Sequence, residues 1–365
     1  MSSKAHSYIT PLLSIIATLV IAGLLFIYSA SSVYALETFG SAHYFVKKQL
    51  IACALGAIGS IICILLPSHW IKKLAPFIFL ITMLATLATL LPGIGATING
   101  SSRWLRLGGL AVQPSEFFKM AFVIYLATFL ERRYYRLGSF KGFIPFLCIT
   151  LLPCLVLLKQ PDFGQAITLA STGFILYFLA GGSLTYLAIS FLPGLGALIA
   201  LITFKPYRLK RILTFLNPWQ DPQGAGFQII QSLIAIGSGQ FSGLGIGQSK
   251  QKFFYLPMQH NDFIFSIIAE ETGLVGVSLL IILYICLLIS GIKLIRKLTS
   301  PFAQLVTSGF LTMIILQSLI NIYVATGLAP TKGIGLPFIS YGSSALISNL
   351  IFFGIIINCT LEEIQ

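Results

Sequence analysis

The sequence predicts an all-α integral membrane protein of about ten transmembrane helices, forming a single polytopic domain over residues 1–365. Three observations carry that expectation. Only 9% of the 365 residues are charged and 56% are hydrophobic, against about 25% charged residues in a soluble domain. The mean hydropathy is +0.93. The apolar residues also gather into runs near the roughly 20 residues a helix needs to cross the hydrocarbon core. A chain so poor in charge needs a bilayer as solvent, which excludes two soluble domains, a secreted disulfide scaffold or a disordered chain. Nucleic acid is not an expected partner.

Cutting the chain at its charges and its Gly/Pro punctuation leaves segments at about 11–28, 49–66, 75–92, 114–130, 142–158, 163–180, 184–204, 263–289, 302–325 and 343–360. The first follows a lone Lys4 and ends in Ser29-Ala30-Ser31-Ser32, superficially like a signal-peptide cleavage site. It is longer than the ~7–15 residues of a signal core, so an uncleaved first span is expected. The run 163–204 has no charge over 42 residues. That is too long for one helix, and Gly181-Gly182-Ser183 supplies the dividing turn. Cys53, Cys63, Cys148, Cys154, Cys286 and Cys359 all lie in apolar runs and read as small buried hydrophobes.

Ten spans put both termini on one side, and basic residues in short loops mark the cytoplasm. Cytoplasmic termini place ten basic residues inside: Lys4, Lys72, Lys73, Arg132, Arg133, Arg136, Lys141, Lys293, Arg296 and Lys297. Six fall in short outer loops: Lys47, Lys48, Arg103, Arg106, Lys159 and Lys332. The connection 205–262 between helices 7 and 8 then becomes a large extracytoplasmic loop. Its uncharged middle, 224–248, is interrupted too often by Gly and Gln for a span. An amphipathic helix on or in the membrane surface, followed by a Gly-rich loop, is expected there. No repeat of the two halves is visible, which disfavours an inverted-repeat transporter.

Each ionisable residue inside a span costs at least ~2.5–3.5 kcal/mol and needs a partner or a task. Glu116 and Lys119 in PSEFFK share a helix face at i, i+3. They form either a self-neutralising pair or the wall of a polar cavity that offers Lys119 to an anion. Asp162 in KQPDFG is a turn or N-cap residue, or a functional acid. Asp262 in LPMQHNDFIF has the same two readings, N-cap or site. His260 and Asn261 before it, with Glu270 and Glu271 two turns on, favour a site wall. Trp104 between Arg103 and Arg106 suits either an interfacial anchor or an anionic head group carrying sugar. Lys332 lies in APTKGIGLPFISYG, an ordinary turn or a Gly-rich backbone able to approach a phosphate.

Six motifs, SSRWLRLGG with QPSEFFK, KQPDFG, FLNPWQDPQGAGFQIIQSLIAIGSG, FYLPMQHNDFIFSIIAEETG and PTKGIGLPFISYG, stand in the order found in the SEDS family (shape, elongation, division and sporulation). The chain resembles that family from first span to last. Asn217-Pro218-Trp219 and the short Gly-rich loop look more like its division branch than its elongation branch. Met258, Asn261 and Gly342-Ser343 depart from the usual pattern without removing an essential group.

The resemblance implies a membrane glycosyltransferase. Its substrate would be lipid II, the undecaprenyl-pyrophosphate disaccharide pentapeptide, polymerised into glycan strands at the outer face of the bacterial cytoplasmic membrane, at the division septum. It also implies a class B penicillin-binding transpeptidase and other division proteins as partners, beside membrane lipids. The family's catalytic aspartate corresponds to Asp262, its first-loop tryptophan to Trp104, its embedded acid and lysine to Glu116 and Lys119, and its QPD acid to Asp162. Arg103, Arg106, His260, Lys332 and Ser340 complete the expected substrate contacts. In the expected mechanism Asp262 takes the proton of the attacking hydroxyl in one inverting displacement, while Lys119, Arg103 and Lys332 steady the pyrophosphate. A divalent cation, Mg2+ or Mn2+, is a candidate cofactor. The alternatives are a lipid II flippase and a non-catalytic scaffold that recruits the transpeptidase.

Overall fold

The computed structural model describes residues 3–98, 101–107, 110–204, 206–224, 226–252 and 260–364. Position 205, where the long connection begins, and Met258 lie outside them. Each of the ten expected spans is a helix: α1 (Ser3–Phe39), α2 (Tyr44–Leu65), α3 (Ser68–Ala88), α4 (Pro114–Arg132), α5 (Phe140–Lys159), α6 (Phe163–Leu179), α7 (Leu184–Thr203), α10 (Ile264–Ile295), α11 (Pro301–Ala325) and α12 (Ser343–Glu363). Among the described residues, seven are long and apolar enough to cross a membrane by themselves. α6 has 17 residues, α4 carries Glu116 and Lys119, and the described apolar part of α7 ends at Gly196. The turn between α6 and α7 falls at the expected glycines. Gly181 has φ +81°, and a Cβ on Gly182 would strike the Tyr177 ring.

Two features add to the expected all-α membrane fold and to its single surface helix in the long loop. Before α4, β1 (Gly95–Ile98), β2 (Ser101–Leu107) and β3 (Leu110–Val112) form an antiparallel sheet in the order β1-β2-β3. The pattern Ser-Arg-Trp-Leu-Arg-Leu has the period of two that a strand requires, and Asn99-Gly100 is a hairpin signal in the sequence. Within the long connection lie two helices, α8 (Pro206–Leu216) and α9 (Phe227–Gly239). Thirteen residues of α9 rise only about 20 Å, too short to span. Its residues Ile229, Ile230, Ser232 and Ala235 are buried, packed chiefly against α10.

Helix ends sort onto two faces. At one, Ser68 N–H donates to Glu362 (2.8 Å), Lys72 pairs with Glu131 (2.8 Å) and Thr299 N–H donates to Glu363 (2.7 Å). This face joins the ends of α2 and α3, α4, α10 and α11, and α12. At the other, Gln160 after α5 donates to Thr86 O and Thr89 Oγ1 near the end of α3 (2.8 and 2.5 Å). Gln49 near the start of α2 donates to Ser340 O before α12 (3.4 Å). The alternation agrees with ten crossings. Close packing depends on small residues, as in other membrane bundles: Cβ atoms on Gly56 and Gly59 of α2 would press on Leu350 and Ile351 of α12, at 2.8 and 2.7 Å.

α10 is broken at Gly273, whose φ of +62° no other residue adopts cheaply. The orphaned carbonyls of Glu270 and Glu271 accept Leu244 N–H and Gly245 N–H (2.9 and 3.0 Å), while Leu274 and Val275 N–H donate to Gln240 and Phe241 O (2.9 and 3.2 Å). The Gly-rich segment after α9 therefore completes the broken helix.

Candidate functional site

The second face gathers residues far apart in sequence around one carboxylate, Asp262. The residue capping α10 is Phe263, with no side-chain cap bond, so the Asp262 carboxylate is not consumed by the helix start. Its backbone is fixed instead: Asn321 Nδ2 of α11 donates to Asp262 O (2.7 Å) and to Ile334 O (2.8 Å). That amide ties the start of α10 to the loop before α12.

Asp162 shows the contrasting outcome. It caps α6, accepting Gln165 N–H at 3.2 Å, and its carboxylate lies 3.3 Å from Arg103 Nη1. Arg103 reaches it from β2 and also donates to Pro161 O (2.7 Å) and Gln160 O (3.4 Å). The β1–β2 register slips at Arg103, with Trp104 opposite Ala96 and Ser102 opposite Thr97, and Arg106 lines a separate cleft with Gly93, Ile94, Gly95 and Ala96. Arg103 and Arg106 are therefore not brought to one place, as their expected grouping with Trp104 around one head group required.

Gly333 lies between the two key groups. A Cβ there would stand 3.4 Å from Asp262 Oδ2 and 3.8 Å from Arg103 Nη1, so the glycine keeps a gap open beside both. Lys332 places its ammonium 5.5 Å from the Phe163 ring centroid, and partial burial lowers its pKa. Arg211 of α8 donates to Thr331 O at 3.2 Å. Burial pushes the Asp262 carboxyl up to about 6, opposed by Arg103 and Arg211 and reinforced by Asp162. Burial likewise raises Asp162, against the pull of Arg103. The site thus offers a partly protonated acid at neutral pH under the influence of two guanidinium groups, Arg103 and Arg211.

Glu116 and Lys119 are brought to this site but held behind it. Their ion pair is 2.9 Å long and buried, and Gln165 Nε2 donates to Glu116 at 2.7 Å. Lys119 is thus paired with Glu116 and also favours the charged form of Asp162 through space. Ser340 is also spoken for: its hydroxyl donates to Asn261 O (2.6 Å) and accepts Leu336 N–H (2.7 Å). His260 is buried among Phe45, Tyr341 and Tyr34, with ring centroids 4.4, 5.8 and 6.0 Å away, and burial lowers its pKa to about 4. It is a neutral aromatic wedge beside Asp262. Ser340 and His260 shape the backbone around the site and offer little to a substrate.

Glu270 and Glu271 are not a site wall. Glu270 accepts Ser249 Oγ, Lys250 N–H (2.9 Å) and Gln251 N–H (3.4 Å). Glu271 accepts Ser29 Oγ (2.6 Å) and Ser249 N–H (3.4 Å), and lies 3.6 Å from Lys252 Nζ. They latch the Gly-rich segment and α1 to the upper part of α10. Sequence reading passed over Asn321, Gln165, Gly333 and Arg211. A polar Asn321 in the apolar run of α11 was the available signal, because such residues need partners.

Comparison with known proteins adds a lineage to this geometry. The profile of the FtsW/RodA/SpoVE family of cell cycle proteins matches residues 10–364. Stage V sporulation protein E of Bacillus subtilis (strain 168) is 40% identical over 360 residues, 98% of each chain. The probable peptidoglycan glycosyltransferase FtsW of Trichlorobacter lovleyi is 39% identical over 357 residues, 97% of this chain and 93% of that one. The rod shape determining protein RodA of Thermus thermophilus superposes with a TM-score of 0.73 at 27% identity, covering 97% of both chains. A chain from a peptidoglycan synthase complex that coordinates polymerisation and crosslinking reaches 0.80 at 31% identity, covering 97% and 98%. Matched in sequence and in fold along nearly its whole length, the chain belongs to the FtsW/RodA/SpoVE, or SEDS, family.

Proposed function

We propose that this protein is a peptidoglycan glycosyltransferase that polymerises lipid II, with Asp262 as the general base. The supporting observation is the environment of Asp262: a half-buried carboxylate raised by desolvation to about 6, free of any capping duty, beside a glycine gap shared with Arg103. A base near neutrality can accept a hydroxyl proton while remaining ionised often enough to act. Arg103, Arg211 and Lys332 line the same region and suit the charge that gathers on a departing pyrophosphate. In a single displacement the acceptor hydroxyl loses its proton to Asp262, its oxygen bonds the anomeric carbon, and the lipid pyrophosphate leaves with the bonding electrons.

Among the described residues there is no group of three or more His, Cys, Asp or Glu side chains arranged for a metal. A divalent cation would therefore be carried mainly on the substrate's phosphates, as Mg2+ commonly is, with one or two protein carboxylates at most. The distribution of basic residues over the short loops supports a site on the outer face of the cytoplasmic membrane. The similarity to a synthase complex that polymerises and crosslinks supports a penicillin-binding transpeptidase as partner, and the FtsW relatives support a role at the division septum.

Fluorescent lipid II in proteoliposomes tests this function. Polymer formed from lipid II in the accessible leaflet, without net transfer across the bilayer, is the expected result. Transfer without polymer would replace the enzyme with a flippase, and neither activity with the partner present would leave a scaffold.

A further inference from the structure

At the opposite face of the bundle, a second set of donors lies unused. A cavity of about 210 Å³ opens between α3 and α4, walled by Pro76, Tyr125, Thr128, Phe129, Arg132 and Arg133. It has room for roughly seven waters at ~30 Å³ each. Arg132 is the last residue of α4, Arg133 caps it, and both are exposed. Tyr125 lies about 10 Å further into the bundle along α4.

The acids on this face are engaged elsewhere. Glu131 pairs with Lys72, Glu362 accepts Ser68 N–H, and Glu363 accepts Thr299 and Ser300 N–H. Among the described residues, the Arg132 guanidinium has no hydrogen bond or ion pair, and that of Arg133 only overlies the Phe129 ring at 5.1 Å. The Tyr125 ring is stacked on Phe79 at 4.8 Å, yet its hydroxyl donates to nothing. Thr128 differs, its hydroxyl donating to Ile124 O at 2.8 Å. Two arginines and a tyrosine therefore line a single cavity, and their polar groups have no protein acceptor among the described residues.

We propose that this cavity binds the phosphate of an anionic phospholipid, held by Arg132 and Arg133 at the rim and by the Tyr125 hydroxyl deeper in. The guanidinium fork matches phosphate oxygens. The helix C-terminus disfavours an anion, which is why two arginines are needed. Pro76 and Phe129 give the cavity an apolar wall between two spanning helices, so the ligand arrives from the lipid rather than from water. Basic pockets between spans at the cytoplasmic face bind anionic head groups in this way. The site is separate from the Asp262 cleft and does not rest on its reading.

The test is native mass spectrometry on the delipidated full chain, titrated with phosphatidylglycerol, phosphatidylcholine or inorganic phosphate. Wild type should retain phosphatidylglycerol in preference to phosphatidylcholine. Arg132→Gln with Arg133→Gln should lose roughly tenfold or more in affinity, the scale of lost charge-assisted hydrogen bonds. Tyr125→Phe, which keeps the ring stack and the fold, should lose a smaller share. Equal retention by wild type and both variants would overturn the site. Displacement of phosphatidylglycerol by inorganic phosphate at equal concentration would overturn the lipid as its ligand.

Discussion

Replacing Asp262 with asparagine should stop polymerisation and stabilise the folded protein at neutral pH. Folding raises this carboxyl from 3.8 to about 6, so the native state holds the proton more tightly than the unfolded chain. The sign is therefore opposite to that of a salt-bridged acid. The stability associated with this group is fully present below about pH 4 and is lost as pH rises through about 6. A difference of about two pH units, at about 1.36 kcal/mol each, amounts to about 3 kcal/mol at pH 7. Asparagine keeps the shape and removes the ionisation, so Asp262→Asn should recover that amount at pH 7 and almost none at pH 4. For soluble chains of 150–250 residues 1 kcal/mol moves Tm by about 2–4 °C, and a gain of several degrees is expected in this longer chain. Thermal unfolding of both proteins in the same detergent at pH 4 and pH 7 measures it. A variant no more stable than wild type at pH 7, or a gain unchanged at pH 4, would refute the reasoning.

Other perturbations separate the roles around this carboxylate. Arg103→Ala removes the largest influence lowering the Asp262 pKa, so the acid limb of the rate profile should move above pH 6; a limb that stays or falls contradicts the assigned coupling. Gly333→Ala needs no unusual backbone but fills the gap 3.4 Å from Asp262 Oδ2. Its stability should change by no more than about 0.5 kcal/mol while polymerisation drops at least roughly tenfold, about 1.4 kcal/mol in the barrier. Glu271→Ala removes the carboxylate beside the buried Lys252 ammonium, which keeps Gly247 O as an acceptor, and the acceptor of the Ser29 hydroxyl. A loss of about 3–5 kcal/mol in stability is expected from the stranded charge, with Glu271→Gln milder, both measured by thermal unfolding.

The spans were legible because hydropathy reports directly on the solvent a helix faces, and Gly181-Gly182 announced its turn through backbone chemistry. The sheet before α4 was missed because its strands are short and lie among glycines, where a search for apolar runs sees only loop. Asp162 and Asp262 looked alike in sequence, each an acid just before an apolar helix. Only the fold shows that Asp162 caps its helix while α10 starts without Asp262. Glu270 and Glu271 were read as part of the site because adjacent acids near a candidate base suggest chemistry. Their actual task depends on a glycine break and a loop that no local pattern discloses. Arg106 was grouped with Arg103 by proximity in sequence, yet Arg103 reaches Asp162 while Arg106 lines a separate cleft.

The most direct test of the central claim is the amount of glycan polymer that purified protein makes from purified lipid II, with and without its transpeptidase partner, compared with a folded, lipid II-binding Asp262→Asn variant. Wild type should yield long strands, and the variant should fall by roughly 10²–10⁴-fold, the usual contribution of a general base. Polymer from Asp262→Asn at a rate close to wild type would remove Asp262 from the chemistry and the account with it.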